Sequence, residues 1–134
     1  MRDRGSRKTE DRMVTIKDLE AFGEGWNRHD VDFIMTFMAD DCVFETTAGK
    51  DVCGTRYEGR ERVREAFAKV FKIFPDAHFG RARHFVAGDR GVSEWLFTGT
   101  TSDGKKLEVN GCDVFTFRDG KIVRKDSYFK NRMA

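Results

Sequence analysis

Two side chains in this 134-residue chain combine a titratable group with a position that should be buried. The first is Asp113, within the stretch Lys106 to Phe117 (KLEVNGCDVFTF). Side chains on a strand alternate with period two, so Asp113 shares a face with Leu107, Val109, Gly111, Phe115 and Phe117. A carboxyl group on an apolar face loses solvation, and its neutral form is favoured unless a partner stabilises the charge. Such a residue reads either as a pocket wall or as a structural Asp bonded to backbone amides, because perturbed carboxylates mark both. The second is His84, in Arg81-Ala-Arg-His-Phe85. It has the strand parity of Gly80 and Ala82, whereas Arg81 and Arg83 point the other way, toward solvent, which turns His84 inward. Imidazole titrates near neutral pH and can give or take a proton; the plainer reading is a packed histidine bonded to a carbonyl. If both side chains reach one cavity, they form an acid–base pair able to move a proton next to a carbonyl.

Around this pair stand residues that could shape a ligand site. Trp26, Phe44, Trp95, Phe97 and Phe115 are pocket wall or core, and aromatics dominate the energetics of both. Thr46 and Ser127 can hydrogen-bond a ligand. Tyr128 can donate a proton or lie at a dimer surface, and Asn27 either orients His84 or caps a turn. His29 and His78 read as structural, and Glu45, of opposite parity to Phe44 and Thr46, suggests no role. Cys42, Cys53 and Cys112 are odd in number, which argues against a disulfide framework, and none has a spacing to a histidine that suggests activation. There is no glycine-rich phosphate loop and no metal-ligand spacing, so no cofactor is expected.

Composition narrows the partners. Lys and Arg total 25 against 23 Asp and Glu. Residues 1–12 carry Arg2, Arg4, Arg7, Lys8 and Arg12 against Asp3, Glu10 and Asp11, which accounts for the net charge of +2 and leaves a neutral body. A neutral body has no broad basic field for nucleic acid, and residues 1–12 read as a disordered charged tail. No apolar run approaches the roughly 18 residues of a membrane helix. The charged N-terminus has no apolar core of a secretory signal, so a cytoplasmic protein with no membrane partner is expected.

The elements that must position the pair follow from periodicity. Thr15 with Asp18 three residues later forms a helix start, and Ile16, Leu19, Phe22 and Trp26 then recur at helical spacing. Gly23 and Gly25 weaken this helix and permit close approach of another element. Asn27 to Asp30 is a turn. A short second helix carries Val31, Ile34, Met35 and Met38 on one face and ends at Asp40-Asp41, and Cys42 to Thr46 is a strand. After a loop and a brief extended piece at Arg56-Tyr57, Arg60 to Phe74 is the strongest helix, with Val63, Ala66, Phe67, Val70 and Phe71 on one stripe and Pro75 as its stop. Four strands follow, 77–86, 91–100, 106–118 and 121–129, joined by short glycine-containing links. The order predicts one α+β domain over 13–134, with a curved antiparallel sheet wrapped over helices.

The chain also resembles a known superfamily. Trp26-Asn-Arg-His-Asp30, Ala39-Asp-Asp-Cys-Val-Phe-Glu45, Tyr57-Glu-Gly-Arg-Glu-Arg-Val63, Gly88-Asp89, Glu94-Trp95, Thr98-Gly-Thr100 and Phe117-Arg-Asp-Gly-Lys-Ile122 come in the order and spacing of the nuclear transport factor 2-like superfamily, near its SnoaL-like and ketosteroid isomerase-like branch. The resemblance implies a cystatin-like cone in which a bent sheet and three helices enclose one apolar pocket, usually in a homodimer, and a small apolar organic molecule as ligand. Catalytic positions transfer unevenly. The ketosteroid isomerase base falls at Thr46 and its oxyanion tyrosine at Phe22, but its second oxyanion donor, a protonated Asp, falls at Asp113. The epoxide hydrolase positions fall at Trp95, Phe97 and Ser127, and the polyketide cyclase acid at Lys130. The histidine strand of scytalone dehydratase is matched by His84, with Asn27 at that enzyme's Asp position. The resemblance thus implies a cofactor-independent isomerase, cyclase or dehydratase using His84 as base and a neutral Asp113 as oxyanion donor, or a binding or assembly module on the same cone.

Overall fold

The computed structural model describes residues 13–133, so the tail expected over residues 1–12 lies outside the described residues. Nine elements follow in order: α1 (Ile16–Asn27), α2 (Val31–Met35), β1 (Met38–Glu45), β2 (Arg56–Glu58), α3 (Arg60–Ile73), β3 (His78–Ala87), β4 (Arg90–Thr100), β5 (Lys106–Arg118) and β6 (Lys121–Phe129). The six strands form one curved, open sheet in the order β2-β1-β6-β5-β4-β3. The α+β class is as expected. Neighbouring strands run antiparallel except β1 and β6, which are parallel. No hairpin joins those two, so no tight turn dictates their direction.

The helices start where their chemistry places them. The Thr15 hydroxyl accepts from the Asp18 amide at 3.2 Å while the Asp18 carboxylate accepts from the Thr15 amide at 2.9 Å, a closed capping box at α1. Gly25 is the glycine that close approach requires, since a Cβ there would stand 2.7 Å from the Phe33 ring; at Gly23 a Cβ would meet nothing within 4 Å. The second helix is shorter than expected. It ends at Met35, and Met38 already belongs to β1, four residues ahead of the expected strand start. Tertiary contact explains this: the Phe37 carbonyl accepts from the Ile122 amide at 2.8 Å and the Thr36 carbonyl from Lys121 Nζ at 2.7 Å, so β6 captures the chain before another helical turn can form.

The core lies between the concave face of the sheet and the helices. Leu19, Phe22 and Trp26 of α1 and Val63, Ala66 and Phe67 of α3 pack on Phe44, Phe115 and Phe117. Phe115 is fully buried, with its ring 5.9 Å from those of Phe22 and Phe117. A second, smaller cluster of Trp95, Phe97, Val109 and Ala77 fills the other end. Bulges shape the sheet. In β3 the register shifts between Gly80 and Arg83, with Arg81 at φ 55°, and in β6 an extra residue, Val123, falls between two paired positions. Such insertions bend a strand and re-aim the side chains beyond them.

Gly111 shows how tightly the sheet is built around the site. It faces Trp95 across the β4–β5 ladder, and a Cβ on it would run into the Trp95 ring and the Tyr128 carbonyl. Gly111→Ala should therefore cost about 1–3 kcal/mol as an overpacking substitution, read as a lower urea midpoint at unchanged slope. A wild-type midpoint would mean that the Trp95 ring is free to move away.

Among the described residues no helix is long and apolar enough to cross a membrane.

Candidate functional site

The cross-strand register lines polar side chains into one row on the concave face. His84 of β3 pairs with Ser93 of β4, Ser93 with Asp113 of β5, and Asp113 with Ser127 of β6. Four strands thus deliver one residue each to a polar stripe inside an aromatic shell. A fifth side chain, Lys125, sits two residues before Ser127 on the same face. Sequence reasoning missed it, because a lysine near a chain end reads by default as solvated. The available signal was its parity with Ser127 and Phe129.

Lys125 is 5 % exposed. Its Nζ lies 3.0 Å from Asp113 Oδ1 and donates to Ser127 Oγ at 2.9 Å. Three rings surround it, with centroids 4.7 Å away at Phe44, 4.9 Å at Trp26 and 5.6 Å at Phe67. Ring faces attract a desolvated cation by up to about 2 kcal/mol each, and the Asp113 carboxylate supplies the opposite charge. Asp113 in turn accepts from Ser127 Oγ at 2.6 Å on Oδ1 and from Trp95 Nε1 at 3.0 Å on Oδ2. This corrects the expected role of Asp113. A neutral acid that serves an oxyanion must have an O–H to spare, whereas both oxygens here face protein donors. Asp113 acts as an acceptor that fixes Lys125, Ser127 and Trp95, and Lys125 is the group with hydrogen-bonding capacity left over. An ammonium has three N–H donors; one goes to Ser127, and Asp113 faces the group as an ion pair.

His84 is half-buried, and its Nδ1 lies 2.7 Å from Ser93 Oγ. Burial pushes its pKa below the ordinary histidine value, with Glu20 and Asp113 opposing that shift. It is therefore a neutral imidazole at pH 7. With Nδ1 engaged, Nε2 is the nitrogen left for chemistry. His84, Ser93, Asp113 and Lys125 line one cavity of about 380 Å³ between α1 and the sheet, together with Glu20, Glu24 and Trp26. A second cavity of about 320 Å³ lies beside it toward α3. The two share Trp26, Phe79, Trp95 and Lys125 as a partition.

The other expected site residues divide. Trp26, Phe44, Trp95, Phe97 and Ser127 line the second cavity. Thr46 lines it as well, but its hydroxyl donates to the Ala48 carbonyl at 2.8 Å and accepts from the Thr55 amide at 3.0 Å, so it is spent on its own loop. Asn27 borders the first cavity, yet its side-chain amide bonds both backbone groups of Phe79, at 3.0 Å and 2.8 Å. It ties α1 to β3 and neither orients His84 nor caps a turn. Phe115 is corrected to core, since it borders neither cavity. Tyr128 is corrected to the outer face: it is 54 % exposed, and its hydroxyl donates to Asp126 Oδ2 at 2.9 Å. His29 Nε2–H donates to the Ala77 carbonyl at 2.8 Å and the ring stacks on Phe71, in keeping with a structural histidine.

Glu45, for which the sequence suggests no role, is fully buried on the outer face between Arg56 and Arg124. Burial alone would raise its pKa, but hydrogen bonds and charge from Arg124 and Arg56 outweigh that and hold the carboxyl below its usual range. The network closes the outer face and does not reach either cavity. Burial pushes the thiols of Cys42 and Cys112 up, away from nucleophilic activation. Among the described residues no group of His, Cys, Asp and Glu is placed to hold a metal ion.

Comparison with known proteins agrees with this architecture. The family model for the SnoaL-like domain matches residues 19–125. No curated protein matches the chain. Among solved structures, a protein of unknown function with a cystatin-like fold from Xanthomonas campestris superposes with a TM-score of 0.77 at 19% identity, covering 89% of this chain and 92% of that one. A candidate polyketide cyclase from Pseudomonas putida gives 0.74 at 17% identity, over 84% and 88%. A protein with a ketosteroid isomerase-like fold from Catenulispora acidiphila, in complex with trimethylamine, gives 0.74 at 18% identity, over 87% and 88%. At these identities the likeness is one of fold.

Proposed function

Because the chain belongs to the SnoaL-like domain family, we propose that it is a cofactor-independent enzyme of the isomerase, cyclase or dehydratase kind, acting as a homodimer on a small enolisable carbonyl compound. The observation that carries this reading is that a neutral imidazole and a buried ammonium face one cavity of about 380 Å³. His84 Nε2 takes the proton from the carbon next to the carbonyl. The electron pair of that C–H bond moves onto the carbonyl oxygen, where the Lys125 ammonium meets the developing charge. His84, now protonated, returns the proton to another carbon for isomerisation, or to a leaving oxygen for dehydration. Ser93 fixes the ring, and Asp113 fixes Lys125. Apolar walls exclude water, which strengthens both interactions. The neighbour described as a candidate polyketide cyclase supports the same class of chemistry, since closing a polyketide ring also proceeds through an enolised carbonyl.

The test is deuterium incorporation from solvent at carbons next to the carbonyl, followed by NMR over a panel of cyclic ketones and enones. Incorporation above the buffer rate is expected for at least one member. The engagement of Asp113 by two hydrogen-bond donors and the Lys125 cation favours a second reading, a binding module that kept the cone without turnover. Tight binding of a panel member without any incorporation would select that reading.

A further inference from the structure

The rim of the His84 cavity carries charge that the reacting pair does not explain. Glu20 and Glu24 of α1 line it, together with Asp113 and Lys125. Lys125 and Asp113 form a buried ion pair and cancel. One cation against three carboxylates therefore leaves two negative charges, both on α1 and both exposed. The cavity has a charge-balanced floor and an acidic mouth.

Nothing among the described residues balances that mouth. Glu20 and Glu24 stand four residues apart on one helix face, where like charges repel. Neither lies in an ion pair among the described residues. Arg28, one turn beyond Glu24, has the spacing of a helical partner, but its guanidinium sits over the Phe33 ring, 4.9 Å from the centroid. The space between the two glutamates is open, since a Cβ on Gly23 would meet nothing within 4 Å. Phe22, Trp26, Phe79 and Trp95 also line the cavity. Ring faces attract an alkylammonium group, and a carboxylate supplies the opposite charge. Glu20 also acts on the reacting ring, where its charge opposes the fall in the His84 pKa that burial causes. The acidic mouth and the base thus lie within electrostatic reach of one ligand. Lys125, 5 % exposed and with hydrogen-bonding capacity left over, lines the same cavity.

We propose that the ketone this cavity takes is cationic, an amino ketone that seats its carbonyl oxygen at Lys125 and its ammonium group between Glu20 and Glu24. The inference rests on the reading of this cavity as a carbonyl site and adds the charge of the substrate to it. Glu20 and Glu24 set specificity, while His84 and Lys125 serve the reaction. A neutral ketone leaves the mouth unbalanced, and an anionic one meets like charge there.

Two isosteric ketones test it, 4-(trimethylammonio)cyclohexanone and 4-tert-butylcyclohexanone, which differ only in a charged nitrogen for a carbon. The anionic member of the set is 4-oxocyclohexanecarboxylate. Each is titrated into the full chain at pH 7 and low salt and followed by NMR. The cation should bind about tenfold tighter than its neutral isostere, the size of one exposed ion pair and one ring contact together. The carboxylate should bind weakest, and the His84 ring signals should move as the cation saturates. The double variant Glu20→Gln/Glu24→Gln should reduce the preference for the cation several-fold, with the neutral ketone reporting on the cavity in the same variant. Equal or tighter binding of the neutral ketone, a preference unchanged in the double variant, saturation by the cation with the His84 signals unmoved, or no binding by any of the three would each overturn the proposal. Deuterium incorporation is scored separately. A preferred cation that is never labelled would uphold the charge selection and remove the proton transfer; two ketones labelled and bound alike would do the reverse.

Discussion

Lys125→Met should lower the stability of the chain by about 3–5 kcal/mol, the usual cost of breaking a buried ion pair on one side. The side chains of Lys125 and Asp113 retain only 7% and 9% of their accessibility. Removing the ammonium leaves a carboxylate in an aromatic shell with Ser127 and Trp95 as its remaining partners. It also deprives Trp26, Phe44 and Phe67 of the cation they surround. The loss should be much smaller in the double variant Lys125→Met/Asp113→Asn, because a neutral amide no longer needs the cation and still offers an oxygen to Ser127 or Trp95. Urea unfolding of the two single variants and the double gives the coupling directly. Additive losses would show that the pair is not a unit, and a cost below about 1 kcal/mol for Lys125→Met would place the ammonium in water.

The second large effect is kinetic. His84→Gln should slow proton abstraction by about 10²–10⁴-fold, the usual contribution of one positioned base. Its stability cost should be small, since Gln can still bond Ser93. The pH dependence follows from the lowered pKa of His84, caused chiefly by burial. Only the neutral ring accepts a proton, so kcat/KM for exchange should hold down to below about pH 6.5, the ordinary histidine value, and fall with a midpoint on the acid side of it. Stability has the same sign. Above about pH 6.5 the ring is neutral in both folded and unfolded chains and contributes no pH dependence. As pH falls from there through the lower folded value, the unfolded chain takes up the proton first, and stability is lost over that window. An acid limb above pH 6.5, or one unchanged in His84→Gln, would remove His84 from the reaction.

Much of this fold is legible from local pattern. The stripe Val63, Ala66, Phe67 and the stop at Pro75 define α3, and the short glycine-containing links define the last four strands almost to the residue. Parity within β5 places Asp113 on the concave face, and alternation with Arg83 places His84 there, but the expected parity of His84 with Gly80 fails, because the bulge between Gly80 and Arg83 turns Gly80 to the opposite face. What parity cannot give is the neighbours. Whether Asp113 donates or accepts depends on Trp95, which the regular β4–β5 register brings to it, and on Ser127 and Lys125, which come through a β5–β6 register altered by an extra residue at Val123. A simple hairpin count from the Asp119-Gly120 turn would set Asp126 opposite Asp113. Lys125 meets Phe44 through the parallel β1–β6 pairing, which no turn announces. Glu45 was unreadable for a related reason: its guanidinium partners are 11 and 79 residues away, and their burial of it is visible only once β1 lies between β2 and β6.

The account rests on His84 as a neutral base facing the ligand, and ring-nitrogen NMR observes that most directly. The chain has three histidines, of which His29 is held by the Ala77 carbonyl and serves as an internal reference. Spectra would be taken at pH 7 with and without a cyclic ketone that exchanges deuterium or, if none does, the tightest-binding ketone of the panel. The account predicts a singly protonated His84 ring with the proton on Nδ1, toward Ser93, and a bare Nε2 whose signal moves as the ketone saturates while His29 stays still. A doubly protonated His84 at pH 7, or saturation by the ketone with both His84 nitrogens unmoved, would contradict it.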